Sequence, residues 1–83
     1  MSVIYKYTVG ATGLKAFNLP RGAEILSAGL DPAGDLCVWA RVSPGEPLEP
    51  VTIHVIGTGH EVPAGACFVN TVLQGPWVWH VFK

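Results

Sequence analysis

Apolar and polar positions alternate with a period of two along most of this chain. In LCVWARV, Leu36, Val38, Ala40 and Val42 fall on one face and Cys37, Trp39 and Arg41 on the other. In VTIHVIG, Val51, Ile53 and Val55 turn inward while Thr52 and His54 turn outward. VIYKYTV sets Val3, Tyr5 and Tyr7 against Ile4, Lys6 and Thr8, and LKAFNLP sets Leu14, Ala16 and Asn18 against Lys15, Phe17 and Leu19. Such alternation is that of a half-buried β-strand. RGAEILSAGLD (Arg21–Asp31) is less regular, but Gly29 and Pro32 would end any helix there after about two turns, so it too is read as strand. ACFVNTVL (Ala66–Leu73) and WVWHVFK (Trp77–Lys83) are the remaining runs.

Glycine and proline separate the runs. GATG breaks the chain after Val9. DPAGD carries a turn in which Pro32 sets φ and Gly34 permits a positive one. SPGEPLEP (Ser43–Pro50) has three prolines in eight residues and is expected to be an exposed loop, because proline offers no donor to a ladder. QGP turns the chain into the final run. The 83 residues therefore read as a single all-β domain over residues 1–83, a small antiparallel β-sandwich or barrel of six to seven short strands.

The last strand departs from the alternation. WVWHVF is apolar on both faces, with Trp77, Trp79 and Val81 on one and Val78 and Phe82 on the other. Burying a tryptophan removes ~150–250 Å² from water, worth up to ~4–6 kcal/mol at ~25 cal/mol/Å². Both indoles are thus expected to be shielded, either because the N-terminal strand pairs here and closes the sheet or because another subunit covers them.

Composition sharpens this expectation. Hydrophobic residues make up 49% of the chain and charged residues only 13%. A domain this small has much surface for its volume, which favours a homo-oligomer or a covered binding face. Five Lys and Arg face six Asp and Glu, for a net charge of −1, with no run of either sign. That argues against duplex nucleic acid and against a polybasic membrane patch. The opening MSVIYKYTVG lacks the long apolar region of a signal peptide, and no segment is long enough to cross a bilayer as a helix, so a cytoplasmic protein is expected. Cys37 and Cys67 sit in apolar runs without a CxxC pattern. They read as buried thiols, with a disulfide between neighbouring strands as the alternative.

The candidate chemistry lies in HVIGTGHEVPAG (His54–Gly65). Its glycines invite a phosphate-loop reading, yet no lysine follows and Pro63 stops any helix, so the P-loop pattern fails. GTGHEV also puts Val62 where a dinucleotide fingerprint needs its third glycine. A backbone nest for an anion remains open. His54, His60 and His80 with Glu61 have no recognised ligand spacing, so no metal and no cofactor are expected. Cys37, Cys67, Ser27, His60 and Asp35 lack any nucleophile motif, so no catalytic residue is assigned. The residues singled out for binding are Gly57, Thr58, Gly59 and His60 in the turn and Trp77, Trp79 and His80 on the last strand. In that set Gly57 and Gly59 would supply backbone conformations that other residues resist, and the indoles a stacking surface.

IYKY, LPRGAEILSAGLD, LCVWARV, IGTGHEVP and VWHVF together resemble a family of short uncharacterised proteins of bacteriophages and bacterial genomes, a domain of unknown function. The likeness spans Ile4 to Phe82, and GTGH and WHVF are its most specific segments. It brings no catalytic residues. It implies a phage or prophage origin and, by context, a non-enzymatic accessory protein in the bacterial host cytoplasm, in some cases an inhibitor of a bacterial defence system acting on a host protein. A protein sequestering a small nucleotide or signal molecule at the GTGH turn, and a small structural virion component, are the alternatives.

Overall fold

A computed structural model describes residues 1–10 and 13–83. Ala11 and Thr12, inside the expected GATG break, lie outside the described residues. Seven strands and no helix are present among the described residues: β1 (Val3–Thr8), β2 (Gly13–Pro20), β3 (Glu24–Leu30), β4 (Leu36–Val42), β5 (Leu48–Gly57), β6 (Phe68–Gln74) and β7 (Trp77–Phe82). They form a three-stranded sheet of order β1-β4-β3 and a four-stranded sheet of order β2-β5-β7-β6, antiparallel throughout. The two sheets pack as a sandwich, a slab of 39 × 32 × 15 Å.

The alternating residues make the core. Leu36, Val38, Ala40 and Val42 of β4 are no more than 2% exposed, and Ile53, Val55 and Val81 meet them from the other sheet. Tyr7 and Phe17 touch at one margin, with ring centroids 5.7 Å apart. At the opposite margin an amide joins the sheets. Asn70 on β6 accepts the Ala28 N–H through Oδ1 (2.7 Å) and donates through Nδ2 to the Ala28 carbonyl (2.8 Å), standing in for a strand residue beside β3. Two bulges set up this contact. The register shifts between Phe68 and Asn70 on β6, and between Ile25 and Ser27 on β3. The first places Asn70 opposite inward-facing Val81, where regular pairing would have turned it outward.

Several expectations are corrected. SPGEPLEP is not loop throughout: Leu48, Glu49 and Pro50 belong to β5, paired with β2. Over that stretch β5 has a strand on one side only, a position that tolerates a missing N–H. The N-terminal strand does not pair with the last one. β1 lies against β4 in the other sheet, and β7 is held between β5 and β6. Cys37 is fully buried as expected, but Cys67 is exposed, because it stands just before β6 where the ladder runs out to Lys83. Both thiols are free.

Trp77 is the largest correction. It is 59% exposed, and only Trp79 packs against the core. Trp77 and Trp79 share the inward face with Val81, but Trp77 is the first residue of β7 and lies past the last β5 pair, Gly57 with Trp79. The two indoles shield each other instead, stacked with centroids 5.8 Å apart and planes 11° from parallel.

Candidate functional site

The site begins where β5 stops. Its pairing with β7 ends at Gly57 opposite Trp79, so the edge of β7 at Trp77 and Val78 loses its neighbour. The chain there turns through Gly57–His60, closed by the His60 N–H donating to the Gly57 carbonyl (3.1 Å). Gly59 has φ +91°, as the third position of a type II turn demands. Gly57 itself has no positive φ. Its small size matters in a different way, since the His60 imidazole folds back over it, about 3.7 Å from where a Cβ would stand.

His80 ties this turn to the sheet. Its Nε2 lies 2.7 Å from the Thr58 hydroxyl and its Nδ1 2.9 Å from the Thr71 hydroxyl on β6. A neutral imidazole has one donor and one acceptor nitrogen, and a hydroxyl can answer either. Both nitrogens are thereby satisfied, and Thr58 is held over the outer face of β7. The order hydroxyl, imidazole, orienting group is reminiscent of nucleophilic catalysis. Thr71, however, brings no negative charge with which to stabilise an imidazolium, which is what the third member of such a set supplies.

Two hollows flank the turn. One of about 400 Å³ is lined by Gly57, Thr58, His60 and the Pro76–Trp79 stretch, with the stacked indoles as its wall. A second of about 220 Å³ lies over Ile56, His80 and Phe82, bounded by Thr58, Gly59, His60 and Val62. The larger falls within the size range of small-molecule sites. No Asp, Glu, Lys or Arg lines either hollow. The Trp79 indole N–H is already committed, donating to Gln74 Oε1 at 2.8 Å, and Gln74 donates in turn to the Gly34 carbonyl at 2.9 Å. Trp79 is thus a fixed base on which Trp77 rests.

All seven residues singled out from the sequence line these hollows: Gly57, Thr58, His60, Trp77 and Trp79 the larger, and Gly57, Thr58, Gly59, His60 and His80 the smaller. GTGH and WHVF, the most specific segments of the family likeness, meet through the Thr58–His80 hydrogen bond. A family model for a domain of unknown function, DUF7352, matches residues 1–83. The chain belongs to this family. Neither the curated proteins nor the solved structures offer a match to the DUF7352 chain.

Sequence reasoning missed Thr71, Gln74 and Pro76. The first two act only through the cross-strand register, Thr71 opposite His80 and Gln74 opposite Trp77, and pairing of this kind is invisible until the strands are aligned. Pro76 was legible as a turn residue. Gly75, at φ +57°, and Pro76 make the two-residue connection between β6 and β7, which sets Trp77 at the mouth of the larger hollow. His54 lies away from both hollows, on the outer face of β5 opposite Leu14 and Phe82. Among the described residues no group of three His, Cys, Asp or Glu side chains is arranged to hold a metal ion. No helix of the structure is long and apolar enough to cross a membrane.

A separate polar cluster has a structural role. Asp31 is 8% exposed and accepts from Lys6 Nζ (2.8 Å) and from the backbone N–H groups of Ala33 (3.0 Å) and Asp35 (2.9 Å), which fixes the β3–β4 turn. The lysine hydrogen bond, with the Asp35 amide next, holds the Asp31 carboxyl below its ordinary pKa. The same bond raises Lys6. Burial pushes the Cys37 thiol up, which makes it inert.

Proposed function

We propose that this DUF7352 domain is a non-enzymatic binding protein that captures a small molecule bearing a flat ring, of the nucleoside or cyclic-nucleotide class, in the larger groove. The observation that carries this reading is the indole pair. Trp79 is fixed by Gln74, Trp77 stacks on it, and the free side of Trp77 stays open to solvent at the groove mouth. A more than half-exposed Trp on a rigid strand forgoes burial energy, and stacking a base on it is worth ~1–3 kcal/mol. Thr58 and His60 across the groove offer hydrogen-bonding groups to the polar part of the ligand. No Lys or Arg lines the groove, so successive phosphates add little, and a ligand of one or two charges is favoured over a triphosphate.

In a phage or prophage setting, inside the cytoplasm of a bacterial host, such a domain serves as an accessory factor. By sequestering a nucleotide-derived signal it would inhibit the defence system that signal activates. A second reading, direct docking on a host protein, draws on the exposed apolar side chains Leu14, Phe68 and Leu73.

The experiment is a thermal-shift and tryptophan-fluorescence titration with nucleosides and with cyclic and linear nucleotides. A ligand at a hundred times its Kd stabilises by ~2.7 kcal/mol, on the order of 10–20 °C for a domain of this size. Binding should quench the indoles, depend weakly on salt and vanish in Trp77→Ala. No shift with any of these compounds at millimolar concentration overturns the reading.

A further inference from the structure

The two outer faces of the sandwich differ in kind. The face of the three-stranded sheet carries Lys6, Arg41 and Glu24, the last two within 3.5 Å of each other. The pairing register also gives the outward positions of the four-stranded sheet. They are Leu14, Ala16, Asn18 and Pro20 on β2, Leu48, Pro50, Thr52, His54 and Ile56 on β5, Val78, His80 and Phe82 on β7, and Phe68, Thr71 and Leu73 on β6. Among these described positions none is Asp, Glu, Lys or Arg. Leu14, Phe68 and Leu73 are 66%, 58% and 68% exposed. The Phe68 and Phe82 rings meet edge to face at 5.5 Å, which makes a firm apolar ridge. The polar positions on this face, Asn18, Thr52, His54, Thr71 and His80, include no carboxylate, ammonium or guanidinium group, and exposed apolar side chains lie among them.

We propose that a second copy of this chain covers this face, forming a symmetric dimer in which the two four-stranded sheets stack face to face. Three observations select that occupant. The first is charge. A surface without Asp, Glu, Lys or Arg meets its own image without pairing such like charges, and it offers a charged partner little pattern to recognise. The second is area. With strands of six to ten residues, spaced ~4.8 Å apart and rising ~3.3 Å per residue, the face projects roughly 400–600 Å². Its corrugated accessible surface is larger, approaching the ~800 Å² per partner of a standard interface. The third is shape. The slab is only 15 Å thick and broad in the other two directions, so stacking a second sheet at ~10 Å repeats the packing the domain already uses inside. The smaller hollow over Ile56, His80 and Phe82 opens on this face and is covered in the dimer, and the larger groove meets the face at Val78.

The test is light scattering coupled to size-exclusion chromatography on the full chain and three variants, each checked by circular dichroism. The wild type should elute at twice the 8.8 kDa chain mass. Leu73→Glu and Leu14→Glu, on the two edge strands of the face, should each run as folded monomers. Ile4→Glu, 61% exposed on the opposite sheet, should remain dimeric. If Leu73→Glu fails to fold, Leu14→Glu decides. A monomeric wild type at several hundred micromolar overturns the proposal, even if a host protein then binds the face. So does a dimer that survives both glutamates, or one that Ile4→Glu disrupts equally.

Discussion

Asn70 makes a sharp test of what joins the two sheets. Replacing it by alanine removes both hydrogen bonds to Ala28, at 2.7 and 2.8 Å. Two neutral hydrogen bonds contribute ~1–3 kcal/mol together. Ala28 is 7% exposed, so its N–H and carbonyl lose their partner where water reaches them poorly, and each unsatisfied group adds to the cost. A total of roughly 2–4 kcal/mol follows, against a global stability of ~4–12 kcal/mol for a domain of this length. The melting temperature should fall by on the order of 10–25 °C. Urea unfolding followed by tryptophan fluorescence reads the change as a lower midpoint at unchanged slope. Asn70→Asp adds a check on mechanism. The carboxylate still accepts from the Ala28 N–H but faces the Ala28 carbonyl without a donor, and protonation restores one. Its folded pKa is therefore raised, and its deficit against wild type should shrink as the pH falls through that value. A loss below ~1 kcal/mol in Asn70→Ala would mean that water replaces the amide, and an Asn70→Asp deficit independent of pH would refute the hydrogen-bonding argument.

Further outcomes follow from other contacts. Asp31 has a depressed folded pKa, so its contribution is present above the ordinary carboxylate range and is lost as the pH falls through the folded value. Urea midpoints between neutral pH and about pH 3 should accordingly drop less steeply in Asp31→Asn than in wild type, from a lower starting stability. Trp77→Ala should alter stability by ~1 kcal/mol or less, because the ring is mostly exposed, while Trp79→Ala should cost ~3 kcal/mol or more, as measured by chemical denaturation. His80→Phe leaves Thr58 without its anchor, so amide hydrogen exchange should accelerate in residues 57–60 while the core of β4 stays protected. A thiol reagent should modify one cysteine in the native protein, Cys67, and reach Cys37 only after unfolding, as intact mass and peptide mapping would report.

The alternation of residue types alone placed most of the strands and, in β4 and β5, the apolar side of each. Leu36, Val38, Ala40 and Val42 are buried because a strand with that pattern has a single side it can give up to a core. The turn residues, glycine at 59 and 75 above all, were legible for the same local reason. The GTGH and WHVF segments were visible as candidates, but their meeting was not, since it depends on Gly57 pairing with Trp79 across more than twenty residues. Tertiary structure decided what lies opposite each face. It left Trp77 in the open because that residue opens β7 beyond the last pair with β5, Gly57 opposite Trp79. It turned Asn70 inward through a bulge that composition does not mark, and it exposed Cys67 within an apolar run. Local pattern reports how a strand divides into two sides, whereas sheet order, register and overlap arise from contacts between segments distant in the chain, and the larger groove is a product of that second kind.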